Sequence, residues 1–344
     1  MPRQEPAPTP SPLPTLPAAF SILDPGALAA FLGERYALAP PVTCELLSGG
    51  VNDSYLVHAG EGSLVYRLYR PGWRTAAEVA WEARLLGHLA RRGADASVTV
   101  PDREGAHHHR VRAPEGPRLG ALFTFAAGEA PGWKEPGDGR RFGESVAALH
   151  DALDTFADPG GRFTLDLGHL IDAPLAAVLP LLGDRPEDAA FLSDLGARTR
   201  ERLADLAPRG LTVGVCHGDL HGGNVHVAGG VWTHFDFDCG GPGWRAYDLA
   251  VFWWSLSLGK QDADVWEAFL DGYGRERLSD ADRAALPWFV VARTIWLLGL
   301  HAGLRPRLGS AFLSGAGYWR EFLDFLQGWE GERLGPFAAA PAVL

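Results

Sequence analysis

The sequence predicts a segregated α+β protein, with a strand-rich first third and a larger, helix-rich remainder. Three observations carry this reading. Apolar and polar residues alternate between Cys44 and Arg70. Apolar residues recur at helical spacing from Phe142 onward. Between these blocks lies a proline- and glycine-rich loop, Gly128 to Gly139. The division is placed near Ala126. It gives a tail over 1–19, a first lobe over 20–126 and a second over 127–344.

Taken in order, the chain starts with MPRQEPAPTPSPLPTLP, which lacks an apolar leader core and reads as a disordered, proline-rich tail. Asp24-Pro-Gly opens a short helix. VNDSYLV, the turn Gly60-Glu61-Gly62 and SLVYRLY form a hairpin. Thr75 and Glu78 make a capping box ahead of Val79, Ala83, Leu86 and Ala90, and Gly93 ends that helix. Extended structure is expected over Ser97–Val100 and Leu119–Phe125. Phe142, Val146, Leu149 and Leu153 mark a helix face, and further helices are expected near 186–206, 246–258, 262–273, 280–303 and 317–328. The apolar stretch Leu286–Leu304 contains Arg293 and His301, so it reads as a buried helix and not a membrane span.

Composition narrows the function. The 344 residues are 47% hydrophobic and 21% charged, enough for a sizeable core, and carry a formal net charge of -11. That balance argues against a general nucleic-acid binder. Cys44, Cys216 and Cys239 form no CxxC pair, which suits a reducing cytoplasm. Only Lys134 and Lys260 represent lysine. Three consecutive histidines, His107 to His109, are expected in a solvated loop, because neighbours on a strand point to opposite faces and no ligand spacing accompanies them. Trp133 and Trp244 are candidates for lining an acceptor cleft. Oligomeric state is not legible.

The chemistry concentrates between Val215 and Asp248. Asp219 and Asn224 stand at D-x-x-x-x-N spacing, and Asp236 follows. Val225 and Val227, then Val231, Thr233 and Phe235, alternate around Gly229-Gly230, predicting a tight hairpin. Asn224 and Asp236 then share its open end, where antiparallel partners lie roughly 5 Å apart. An amide oxygen and a carboxylate so placed suit magnesium, which takes few protein oxygens and completes its shell with water and phosphates. Asp219 fits the carboxylate that accepts a hydroxyl proton in phosphoryl transfer.

HGDLHGGN, DFDCGG and YDLA resemble the aminoglycoside phosphotransferase and choline kinase superfamily, relatives of the protein kinases. The resemblance implies a two-lobed protein-kinase-like fold that uses ATP and Mg2+, with an antiparallel-sheet lobe before a mainly helical one. It implies that Asp219 is the catalytic base, and that Asn224 and Asp236 hold the metal, with Asp238 the less favoured alternative. His217 and Asp248 would brace the loop. Arg67 occupies the usual lysine position. Glu78 is taken by the capping box, so Glu82 is expected to pair with Arg67. Gly49, Gly50 and Asn52 would lie in the loop over the phosphates, and Leu122–Phe125, with Phe123 and Phe125, in the linker that meets adenine. N-x-x-Y at 52–55, Y-R-P at 69–71 and Thr75 resemble the bacterial stress-response kinase A branch, which phosphorylates protein Ser/Thr, and type II homoserine kinases are near neighbours. The expected partner is a small-molecule or protein hydroxyl acceptor, with no nucleic acid and no membrane. Two other readings remain: a nucleotide-binding pseudokinase, favoured only by Arg67, and a dinuclear phosphoesterase, suggested by GDLHG but lacking the expected GNH.

Overall fold

The computed structural model describes residues 16–335 apart from positions 158, 262, 310, 312, 314 and 315. Residues 1–15, most of the expected tail, lie outside the described residues. Three strands, β1 (Val42–Gly49), β2 (Asp53–Ala59) and β3 (Gly62–Leu68), run antiparallel in sequence order. β6 (Gly116–Thr124) pairs with β3. β4 (Thr99–Val100) and β5 (His109–Ala113) both pair with β6.

The alternation read from the sequence sorts this sheet's two faces. Tyr55, Val57, Tyr66, Leu68 and Leu122 form one core with Leu28 and Leu32 of α1 (Pro25–Arg35), a helix capped by Asp24, and with Tyr36 just past its end. Arg67, Tyr69, Ala121 and Phe123 point the other way, toward α2 (Ala76–Arg91). The Thr75–Glu78 capping box starts α2 as expected. This second core continues without a break into the helical part, through Trp81, Leu85 and Leu89 to Phe142, Val146 and Leu149.

The sheet ends at Thr124, and α3 (Pro136–Asp154) is the next helix. It packs on α7 (Ala263–Tyr273) so closely that a Cβ at Gly143 would stand 2.1 Å from the Phe269 carbonyl oxygen. The expected helices are found as α5 (Pro186–Leu206), α6 (Arg245–Leu258), α7, α8 (Asp280–Leu308) and α9 (Ala316–Trp329). Three features were not anticipated: β5, the helical run through α4 (Ala173–Val178), and the pairing of β7 (Val213–Cys216) with β10 (Gly241–Trp244). Pairs this short leave little alternation to read.

The long helix α8 organises the second lobe. Ser279 and Asp282 make its capping box, and Asp282 also accepts from the Thr212 amide at 2.9 Å and the Thr212 hydroxyl at 2.6 Å. It is long and apolar enough to cross a bilayer. Its residues Phe289, Val290, Val291, Ala292 and Ile295 are nonetheless enclosed by protein, as expected for a core helix. In its last turn Arg307 donates to buried Asp53, which also accepts from Arg118 at 2.7 Å.

Two expectations are corrected. His109 is not solvated. Its ring is buried on β5, with Nδ1 3.3 Å from the Tyr36 hydroxyl and Nε2 3.0 Å from the Tyr66 hydroxyl, while His107 meets Thr99. Trp133 lines no cleft: it is packed against Phe142, Trp232 and Phe252.

Burial, then the Arg35 guanidinium, depresses the His109 pKa to about 4. The unfolded imidazole titrates near 6.5, so the unfolded chain binds the extra proton first as pH falls. Stability is therefore lost from about pH 6.5 downward toward the folded value. Between about pH 7 and about pH 5 this group alone removes about 2 kcal/mol. Urea unfolding of His109→Gln should show a pH dependence shallower by about that amount. An unchanged slope would remove His109 as the source.

Candidate active site

The site is built where the first lobe's sheet faces the loop between β7 and β8 (Val225–Ala228). β7 delivers the chain to His217, and Asp248 in the first turn of α6 fixes the backbone there. Its carboxylate accepts from the His217 amide at 2.7 Å, the Gly218 amide at 2.8 Å and His150 Nε2 at 3.2 Å. Burial pushes the Asp248 carboxyl up, but His150, His217 and the Gly218 amide outweigh it and keep the group ionised. Gly218 has φ +80°, and a Cβ there would lie 2.0 Å from the Cys239 carbonyl oxygen, so only glycine fits. His217 is fully buried, which lowers its pKa, and its Nε2 lies 3.0 Å from the Phe235 carbonyl.

The hairpin forms with the predicted register. Val225 faces His234 across β8 and β9 (Val231–His234), and Gly229 and Gly230 turn at φ +58° and +88°. The Phe235 amide donates to the Asn224 carbonyl at 3.0 Å, so Asn224 and Asp236 leave the hairpin one position apart. Asn224 Nδ2 donates to the Asp219 carbonyl at 2.9 Å and to Asp219 Oδ2 at 3.2 Å, so its amide oxygen remains the group able to accept. Asp236 takes the left-handed conformation, φ +66°, which aspartate tolerates, and its side chain remains 45% exposed.

Arg67 is not a surface arginine. It is buried on β3, donating through Nη1 to Glu82 at 2.9 Å and through Nη2 to Asp236 at 2.8 Å, and its guanidinium lies 4.7 Å from the Phe123 ring centroid. Burial opposes its charge, but Asp236 and Glu82 more than offset this and hold Arg67 protonated. Burial raises Glu82 against the pull of Arg67, and the Tyr69 hydroxyl gives Glu82 a second donor at 3.1 Å.

Asp238 is occupied differently from Asp236. It is buried and accepts from Trp73 Nε1 at 2.6 Å, Arg74 Nε at 2.9 Å and Asn52 Nδ2 at 2.8 Å. Burial would raise its pKa, but Arg74 and Arg67 hold it below the usual carboxylate range. The Asn52 amide nitrogen donates to Asp238, and its oxygen accepts from the Arg70 amide at 3.2 Å. Gly49 ends β1 beside Arg307, and Gly50 has open space around it. Phe123 is paired within the sheet to both Val65 and Thr99, so the first residues past the sheet are Phe125, Ala126 and Ala127. Phe125 is exposed.

Sequence reasoning missed Arg293 as a site residue. This α8 side chain donates to Asp219 Oδ1 at 2.5 Å. The signal was present: one arginine in the middle of an apolar run. Asp219 is pushed up by burial and down by Arg293, His221 and His217, and settles below the ordinary carboxylate range. Its other oxygen lies 3.7 Å from His221 Nε2. Trp73, Arg74 and Arg162 were also missed; Arg162 donates to the Gly240 carbonyl at 2.7 Å and to the Asp238 carbonyl. Among the described residues no group of three or more His, Cys, Asp or Glu side chains could hold a metal. The Asn224–Asp236 pair is a two-oxygen set, which fits a hard cation finished by phosphate and water.

The Arg67–Glu82 contact is tested by stability. Arg67→Met strands Glu82 in the core and should cost roughly 3–5 kcal/mol in urea unfolding. Arg67→Met with Glu82→Leu should recover most of that loss. Equal destabilisation of the single and double variants would refute a paired, buried charge.

A family model for the phosphotransferase enzyme family matches residues 43–288. An uncharacterized protein of Deinococcus radiodurans is 46% identical over 93% of this chain and 94% of its own length. A homoserine kinase of Phenylobacterium zucineum is 30% identical over 73% of this chain and 77% of its own length. Among solved structures, a microcompartment-associated aminopropanol kinase superposes with a TM-score of 0.69 at 24% identity, covering 90% of this chain and 97% of that one. The amicoumacin kinase hAmiN, in complex with AMP-PNP, Ca2+ and Ami, superposes with a TM-score of 0.71 at 19% identity, covering 89% and 97%. The antiparallel sheet followed by a helical lobe is thus the two-lobed, protein-kinase-like fold. The chain belongs to the phosphotransferase enzyme family and is a kinase that acts on a hydroxyl.

Proposed function

We propose that the protein transfers the γ-phosphoryl group of Mg-ATP to the hydroxyl of a small molecule, with Asp219 as the base. The observation that carries this is the join between Asp219 and Asn224, a carboxylate and an amide in hydrogen-bond contact at the open end of a hairpin whose other strand ends at Asp236. The solved kinase with AMP-PNP and Ca2+ supports a nucleotide and a divalent cation in this fold.

In this reading the Asn224 amide oxygen and the free oxygen of Asp236 hold magnesium, which neutralises phosphate charge. Arg67, kept charged by Glu82, turns its outer Nη toward the phosphates in place of lysine's ammonium. The glycines of the β1–β2 loop, Gly49 and Gly50, let backbone amides approach the triphosphate. The backbone of Phe125 and Ala127 meets adenine, one step beyond the paired Phe123. His217 and Asp248 hold the loop, and Asp219 orients the acceptor hydroxyl and takes its proton. A carboxylate of low basicity suffices for a loose transition state, in which the hydroxyl proton leaves late.

Relatives named homoserine kinase favour a small alcohol over a protein side chain as acceptor. A dinuclear phosphoesterase needs two metals about 3.5–4 Å apart and several His and Asp ligands. The described residues offer no such group.

Asp219→Asn should retain Mg-ATP binding and lose about 10²–10⁴-fold in kcat. Normal turnover by this variant would exclude Asp219 as the base. Asp236→Ala should abolish magnesium-dependent ATP binding by calorimetry. Undiminished metal dependence would shift that role to Asp238. ATP binding by the wild type with transfer to no acceptor would instead support a pseudokinase.

A further inference from the structure

Asp238 joins three stretches of chain that the fold brings to one point. Its side chain is 4% exposed, against 45% for Asp236 two residues earlier. Oδ2 accepts from Asn52 Nδ2 at 2.8 Å and from Trp73 Nε1 at 2.6 Å, and Oδ1 accepts from Arg74 Nε at 2.9 Å. Asn52 belongs to the β1–β2 loop, and Trp73 and Arg74 to the turn between β3 and α2. The Asp238 carbonyl is held as well, by Arg74 Nη2 at 2.8 Å and by Arg162. Asn52 extends the tie, because its oxygen accepts from the Arg70 amide at 3.2 Å.

This tie bears on Asp236. Arg67 holds the Asp236 side chain, but its backbone sits at φ +66°. Such a conformation costs a non-glycine residue free energy and persists only where the surroundings fix it. On the N-terminal side the Phe235 amide is bonded to the Asn224 carbonyl. On the C-terminal side Phe237 is buried with its ring centroid 4.3 Å from that of His217, and Asp238 follows as the anchor. A carboxylate can only accept, and this one meets donors on both oxygens while protein encloses it. Bonds of this charge-assisted kind are the strong ones.

We propose that Asp238 is a positioning residue and not a metal ligand. It acts through Asp236, holding the exposed carboxylate of the D-x-D pair in its strained backbone conformation. Through Asn52 it ties the glycine loop to that same carboxylate. The loop over the phosphates and the metal-binding turn are thus one preassembled unit. This rests on the kinase reading of the site and deepens it.

The test begins with the full chain free of nucleotide and metal. Asn52→Ala and Trp73→Phe each remove one donor to Asp238. The phenylalanine keeps a ring for Arg74, whose guanidinium carbon lies 3.9 Å from the Trp73 ring centroid. In either variant, amide hydrogen exchange over residues 236–240 should quicken about tenfold, the change expected from one lost bond to a charged group. Asn52 lies 186 positions from Asp238, so a purely local softening at residue 52 leaves that segment unchanged. Calorimetry then reads ATP binding with magnesium present. Each variant should weaken it by about tenfold. In a folded Asp238→Ala chain, adding Asn52→Ala should weaken it no further, because the bond is already gone. Unchanged exchange over 236–240 in both variants overturns the assignment. So does an Asn52→Ala effect on ATP binding of equal size with and without Asp238, which makes Asn52 a direct phosphate contact. Metal dependence that survives Asp236→Ala and is lost in Asp238→Ala overturns it too, by making Asp238 a ligand. Each of these leaves the kinase standing. Transfer by the wild type to no hydroxyl overturns the kinase reading instead, and exchange and ATP binding still decide the role of Asp238.

Discussion

One guanidinium ties the working parts of this protein together. Arg67 reaches sideways to Glu82 on α2 and forward to Asp236 beyond β9, so sheet, covering helix and hairpin meet at a single charge. A lysine ammonium at this place would be a compact point charge on a flexible stem. The planar fork of arginine spans both carboxylates at once and holds them in fixed directions. Its burial is what makes this matter. A pair such as this would contribute little on the surface, whereas in the interior neither partner can be left alone. The same arrangement recurs around it, with Asp238 held by Arg74 and Asp53 held by Arg118 and Arg307. With lysine reduced to two residues, arginine supplies the forked contacts throughout.

What could be read from the sequence was what the chain encodes locally. The Thr75–Glu78 cap, the Gly229-Gly230 turn and the helix faces depend on neighbours a few positions apart, and the pattern states them outright. Elimination also worked over short range: Glu78 was committed to its cap, so Glu82 was the one left for Arg67, and the structure joins those two. Contacts with a partner far along the chain were not legible. The Asn52 amide bonds Asp238, 186 positions away. The pairing of Phe123 with Thr99 is likewise invisible in the pattern. His109 seemed solvated because nothing near it announces Tyr36 or Tyr66. Arg293 is the instructive case, since a lone charge in an apolar helix states that a buried partner exists without saying which.

The second core has a bearing on motion. In many two-lobed designs each lobe would hold its own apolar interior. Here only the face of the sheet under α1 is separate, and α2 shares its packing with α3 and the helices beyond. The sheet's inner face is thereby anchored to the helical lobe.

The helix α8 joins two distant grips. At a rise of about 1.5 Å per residue, Arg293 and Arg307 stand about 21 Å apart along one rod. The first grips the loop that carries Asp219, and the second grips Asp53 beside the glycine turn. A tilt of about 3° around the first would swing the second through about 1 Å. Asp219 and Asp53 are thus mounted on the same spar, and neither can be repositioned without the other feeling the load.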